Sequence, residues 1–222
     1  MVLLPLLIHL DERTRERIWK GYSIVETRQS RYGTLTVTRT GKQISLYQNG
    51  MIVASYPNRQ AAEEGVHFAL LFSENPKNIL LVGGGLSGAV PESVKHPSVE
   101  QVDLVELDPV LLDIGRRYFS AALKDSGTSA HIRLIEDDGR HFIKNTTNRY
   151  DVVILSLPDP LTAHINRFYT MEFYREVFAK LNRGGILSFR ISGAENYMPE
   201  HLQNTVQCLR KTLEAVFKHV YV

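Results

Sequence analysis

A chain of 222 residues suffices for one domain with at most a small appendage. Hydrophobic residues at 43% and charged residues at 23% exclude disordered and collagen-like classes. The net charge of +2 is scattered, which leaves no nucleic-acid footprint, and a single cysteine excludes an internal disulfide.

No Cys/His set has zinc spacing, so no metal is expected, and Cys208 reads as a buried helix residue in a reducing, cytoplasmic setting. Residues 1–10 (MVLLPLLIHL) are apolar but about half the length of a bilayer span, and they contain Pro5. They read either as a segment packed on the domain or as the stub of a membrane part. The mixed-charge run at 11–17 reads as a solvated helical turn.

From about residue 24 the pattern has period two. Leu35 and Val37 alternate with threonines, Ile44 and Leu46 alternate with polar residues, and Asn49-Gly50 is a hairpin signal. This predicts an antiparallel meander over 24–56. Asn58 then caps a helix whose apolar face is Ala62, Val66, Ala69 and Leu70, ending near Phe72. Beyond Asn75-Pro76 the regime changes. Apolar runs at 79–82, 102–106, 132–135, 152–155 and 186–189 alternate with helical stretches near 89–95, 109–119, 139–145, 170–181 and 199–217. That alternation predicts a parallel sheet covered on both faces. Gly184-Gly185 reads as the turn into the fifth strand, and a further strand is predicted to begin at 219–222. The expected units are 1–23, 24–74 and 75–222.

The first parallel strand runs into Gly83-Gly84-Gly85-Leu86-Ser87-Gly88, a G-x-G-x-x-G opening a helix. Glycines there let a ligand approach the backbone, and the helix start offers free N–H groups. A tight turn without a ligand has the same pattern. Glu106 ends the next strand, 18 residues after Gly88, where a carboxylate can accept bonds from both ribose hydroxyls. The third strand runs into Asp137-Asp138-Gly139, and Asp138 either meets an adenine amine or caps the following helix. Ser156-Leu157-Pro158-Asp159-Pro160 places a polar cluster over the same edge. Ligand residues after four successive strands fit an S-adenosyl nucleoside better than a dinucleotide, for which no catalytic partner is visible.

Taken together, NPKNILLVGGG, HPSVEQVDLVELDP, EDDGRHF, YDVVILSLPDP, FYTMEFYREVF and LNRGGIL resemble the spermidine synthase (polyamine aminopropyltransferase) family. SRYGTLTV and LYQNG are traces of the same organisation in the meander. More narrowly, GGGLSG, SLPDP with NRFYT, and SGAENY are similar to the spermidine-synthase-like domain that some bacterial proteins carry after multiple membrane spans.

The resemblance implies a Rossmann-like, S-adenosylmethionine-dependent methyltransferase-type α/β fold behind a small antiparallel meander. It also implies a homodimer, a nucleoside co-substrate (S-adenosylmethionine or its decarboxylated form) and a polyamine or other small acceptor. Gly83, Gly85 and Gly88 match the family's nucleoside loop, Glu106 its ribose carboxylate, Asp138 and Gly139 its adenine contact, and Asp159 the second aspartate of its D-x-x-D-P element. The departures fall on the amine side. Ser156 stands at the position of the general base, and Leu86 replaces an aspartate. Tyr32-Gly33 replaces a tyrosine–glutamine pair, while Val53 and Arg190 stand for two glutamines.

An alkylamine with a pKa of roughly 10 must lose a proton before it attacks. A serine hydroxyl does not take that proton near neutrality. Glu63, Glu64 and Asp159 are the remaining carboxylates, with Leu86, Glu64 and Arg190 as candidate substrate residues. The expected activity is therefore an aminopropyl transfer with a degraded amine site. The alternatives are a non-catalytic sensor of an S-adenosyl compound serving a membrane part and, behind it, a methyltransferase.

Overall fold

The computed structural model describes residues 19–124, 127, 129–193 and 198–222; the expectations for 1–18 lie outside them. Strands β1 (Ser23–Ser30), β2 (Gly33–Thr40), β3 (Gln43–Gln48) and β4 (Met51–Tyr56) form an antiparallel sheet in chain order. Asn49 (φ 52°) and Gly50 (φ 81°) make the β3–β4 turn, both in the left-handed region that the Asn-Gly pair tolerates. Leu35, Val37, Leu46 and Ala54 face the core as predicted. Thr36 and Thr38, the threonines that alternate with them, are buried as well. The register pairs Thr36 with Tyr47, and the edge-to-face trio Trp19, Tyr22 and Tyr47 gathers on that face.

Helix α1 (Arg59–Leu71) follows, capped by Asn58 Oδ1 accepting from the Ala61 N–H at 3.3 Å. Its buried residues are the four predicted. A second sheet holds β5 (Asn78–Val82), β6 (Gln101–Glu106), β7 (His131–Glu136), β8 (Tyr150–Leu155) and β9 (Leu181–Phe189), all parallel, in the order β7-β6-β5-β8-β9. The intervening helices are α2 (Ala89–Ser93), α3 (Pro109–Tyr118), α4 (Ser120–Leu123), α5 (Gly139–Asn145), α6 (Ala163–Asn166), α7 (Met171–Phe178) and α8 (Glu200–Glu214).

Both faces of this sheet are covered, which is why its strands read as continuous apolar runs. Ile79 and Leu81 of β5 point into one core with the meander and α1–α4. Leu80 and Val82 point into the other, with Phe173, Tyr174, Val177 and Leu209. The chain leaves β5 toward β6 first and later returns to β8 on its other side. That reversal opens a crevice at the carboxyl ends of the strands, where α/β sheets bind ligands.

Several expectations need correction. β9 begins at Leu181, so Gly184 (φ 75°) lies within the strand rather than ahead of it. The pairing advances from Tyr150↔Leu181 to Val152↔Ile186, making Gly184-Gly185 a bulge. Residues 219–222 form no strand; the Tyr221 ring instead packs against Phe72, just past the end of α1, at 5.4 Å. Among the described residues, β9 pairs only with β8. Cys208 is helical but exposed, because α8 buries Leu209 instead. No described helix is long and apolar enough to cross a membrane.

Candidate functional site

The glycine loop is shaped as much by its protein neighbours as by any ligand. Gly83 (φ 71°) and Gly84 (φ 70°) take left-handed conformations that side chains resist. A Cβ on Gly83 would lie 2.9 Å from the Ser156 carbonyl oxygen, and one on Gly84 would lie 2.7 Å from Ser156 Oγ. The loop thus lies flat against the end of β8. Cβ atoms on Gly85 and Gly139 would overlap Leu104 and Val82, and one on Gly88 would press on Ala62 and Tyr56 at 3.3 Å. Leu86 does not reach the strand ends. It lies 3% exposed in the first core, close enough to α3 that a Cβ on Gly115 would meet its Cδ2 at 2.6 Å.

Glu106 ends β6 half-buried, its Oε1 accepting from the N–H groups of Leu107 (2.9 Å) and Asp108 (3.3 Å). Burial pushes its carboxyl up and the Asp108 charge adds to this, while the two backbone bonds only partly oppose them. Asp108 caps α3 through Val110 N–H at 2.9 Å. Of the two readings of Asp138, the structure shows the helix cap. Its Oδ1 caps α5, accepting from Arg140 and His141 N–H at 3.0 Å each, and its Oδ2 is held by Arg167 Nη2. Burial alone would raise the Asp138 carboxyl; Arg167 and the α5 backbone bring it below the usual range. Asp137 is taken by His141 Nδ1 at 2.9 Å.

A cleft of about 500 Å³ opens over this edge. Residues 107–110 and 136–138 line one side, and the β1–β2 turn, residues 29–32, lines the other. Asp138 is the predicted site residue that lines it; Glu106 ends β6 immediately before Leu107. Gln29 was missed by sequence reasoning. It sits at the end of β1, its Oε1 accepting from Thr34 Oγ1 at 3.0 Å, and only the polar cluster RQSRYG between two strands hinted at it. A larger groove of about 1210 Å³ runs along β9, walled by residues such as Phe68, Phe72, Phe178, Leu209 and Phe217. Its lining includes arginines but no aspartate or glutamate.

On the other flank, Ser156 is exposed at the end of β8. Asp159 is half-buried, and its Oδ1 accepts from the Ser192 N–H at 3.0 Å, tying the loop after β8 to the loop after β9. Tyr169 donates to the Pro158 carbonyl at 3.1 Å. Burial pushes its hydroxyl up to about 12, with the Asp159 charge adding to the effect. Glu64 and Arg190, both predicted, are brought together at 3.6 Å across α1 and the end of β9. Gln60 Nε2 donates to Glu64 Oε1 at 2.9 Å. Glu63 pairs with Arg59 at 2.6 Å, and Val53 is exposed on β4.

Comparison with known proteins places this arrangement. Residues 60–222 match the model of the spermine/spermidine synthase domain. The polyamine aminopropyltransferase of Agathobacter rectalis is 31% identical over 218 residues, covering 95% of this chain and 70% of that protein. The one from Sulfurisphaera tokodaii is 31% identical over 83% of this chain and 59% of its own. The match to the Oceanobacillus iheyensis protein covers only 33% of that relative. The chain thus spans between a third and seven-tenths of these relatives' lengths. A spermidine synthase solved with the transition-state analogue AdoDATO superposes with a TM-score of 0.73 at 22% identity, over 89% of this chain and 66% of that one. The Thermotoga maritima spermidine synthase gives 0.71 at 23% identity, over 89% and 65%. The fold is therefore the Rossmann-like methyltransferase type behind an antiparallel sheet, and the chain belongs to the spermine/spermidine synthase family.

Proposed function

We propose that the chain binds an S-adenosyl nucleoside, S-adenosylmethionine or its decarboxylated form, in the cleft over β6 and β7. In this reading residues 75–222 form the floor and the 24–74 unit supplies the opposing wall. The observation that carries the proposal is the placement of Glu106 beside, and Asp138 within, a cleft at the carboxyl edge of a spermine/spermidine synthase domain. Glu106 takes the ribose hydroxyls and Asp138 the adenine amine. Gly83, Gly85, Gly88 and Gly139 allow the close packing on which the floor depends.

Aminopropyl transfer is an attack by an amine lone pair on the carbon next to a sulfonium. A C–N bond forms, the C–S bond breaks, methylthioadenosine leaves with the electron pair, and the new ammonium gives up a proton. A positioned carboxylate speeds such a step by on the order of 10²–10⁴. Ser156 provides none. Asp159 is engaged through Oδ1, while its Oδ2 has no hydrogen-bond partner among the described residues and is the best-placed acceptor for the proton. Glu64 is engaged by Arg190 and Gln60, which leaves little negative charge for a polyamine dication. We therefore read the chain as a weak aminopropyltransferase. The second reading, a nucleoside sensor without turnover, is favoured by Ser156 itself. Calorimetry with methylthioadenosine tests the nucleoside reading, and absence of binding would refute it. Spermidine and methylthioadenosine formed from decarboxylated S-adenosylmethionine and putrescine decide between transferase and sensor.

A further inference from the structure

Arg167 is fixed from several sides in the loop that leads from α6 to α7. Its Nε donates to the His164 carbonyl at 3.1 Å, and its guanidinium lies over the Phe168 ring, 4.7 Å from the centroid. Its own carbonyl accepts from Arg140 Nη1 at 3.0 Å, and Arg140 is in turn anchored on Glu176 by two bonds of 2.8 Å. This is a built position rather than a wandering surface cation.

A guanidinium carries five N–H groups in one plane. Here one goes to His164 and one to Asp138, so three have no hydrogen-bond partner among the described residues. They sit next to a carboxylate that lines the cleft. Asp138 Oδ2 has given one lone pair to Arg167 and keeps a second.

An acceptor and a donor held side by side match an edge that presents a donor beside an acceptor. In adenine the exocyclic amine stands beside a ring nitrogen. We propose that Arg167 is the donor half of a base-reading pair: Asp138 Oδ2 accepts from the adenine amine while Arg167 donates to the adjacent ring nitrogen. The inference rests on the nucleoside reading above and adds a residue to it. It also gives the Asp138–Arg167 ion pair a role in recognition beyond capping α5.

The test is calorimetry on the whole chain with methylthioadenosine and its 1-deaza and 7-deaza analogues, in which one ring nitrogen becomes C–H. The wild type should bind one analogue roughly tenfold or more weaker than the parent nucleoside, the worth of a bond from a charged donor. Arg167→Ala should lose a similar factor on the parent nucleoside and lose nothing further on that analogue. Thermal midpoints check folding, and if Arg167→Ala melts early the comparison is read on Arg167→Gln. Equal binding of all three ligands by the wild type overturns the pair. So does an equal loss on all three in the variant, which would make Arg167 a support for Asp138 alone. In both cases nucleoside binding itself stands. No binding of any ligand by the wild type overturns the nucleoside reading and the pair together.

Discussion

The Ser156 side chain occupies the space that a Cβ on Gly84 would need, with Oγ 2.7 Å from that point. Loop and strand end therefore share one volume, and neither can grow without the other yielding. Gly84→Ala should cost about 1–3 kcal/mol, from steric overlap and from a φ of 70° that alanine resists. In a double-mutant cycle by urea unfolding, Ser156→Gly should relieve part of that cost. Strict additivity would mean that the two positions do not press on each other.

Ser156→Asp alone should recover little aminopropyl transfer. The new carboxylate enters beside Gly84, yet Val53 stays apolar and Glu64 stays occupied by Arg190. Spermidine formation measured side by side for parent and variant tests this. Turnover by the parent in the range usual for enzymes, roughly 1–10³ per second, would show that another group serves as base.

Nucleoside binding should depend on Glu106 by about 1.5–3 kcal/mol in Glu106→Ala, the worth of hydrogen bonds to a charged acceptor. Its carboxyl is raised in the free protein, and the ionised form is the one that accepts from both hydroxyls. Affinity for methylthioadenosine should therefore weaken as pH falls, starting above the ordinary carboxyl value of 4.5. Calorimetry across a pH series reads this, and a flat profile would remove Glu106 from the site.

Donor choice should be loose. With Leu86 in the core there is no carboxylate after the glycines to repel that of S-adenosylmethionine. Glu64→Gln would release Arg190 from its 3.6 Å pair and tilt preference further toward the carboxylate-bearing donor. Competition between the two donors measures the effect. Clear selectivity for the decarboxylated compound would contradict it.

Acid stability should trace to Asp103, fully buried on β6. It accepts from Arg133 Nε (2.6 Å), Tyr150 OH (2.6 Å) and Gln101 Nε2 (2.9 Å). Burial opposes its ionisation, but these donors hold its carboxyl below the usual carboxylate range. A depressed carboxyl stabilises above its unfolded value, and that stability is lost as pH falls through the folded one. Asp103→Asn should cost about 1–3 kcal/mol at neutral pH and less at pH 3, read from urea midpoints.

The elements that carry the candidate site were legible because their signals are local. Glu106 ends a strand and Asp138 caps a helix, both within a few residues of the carboxyl edge of the sheet. Gln29 and Arg167 were not legible: one comes from another sheet and the other from a loop 29 residues beyond Asp138, so only tertiary packing brings Gln29 to the cleft wall and Arg167 to Asp138. Leu86 misled for a different reason. The 3₁₀ turn at Gly85–Ser87 rotates it into the core, and periodicity does not forecast such a turn. Gly184-Gly185 read as the helix-to-strand turn because glycine commonly follows a helix end; the chain uses the pair as a bulge inside β9 instead.

That bulge bears on solubility. Among the described residues no strand pairs with the outer side of β9, and such a row of backbone donors and acceptors is the kind of template on which a stray strand grows. Gly184 breaks it, so the regular run ahead of the loop is only Ile186, Leu187, Ser188 and Phe189. Arg183, Arg210 and Lys218 sit along the same groove and repel a second copy bearing the same charges. An intruder thus meets a foothold shorter than an ordinary strand of about five or six residues.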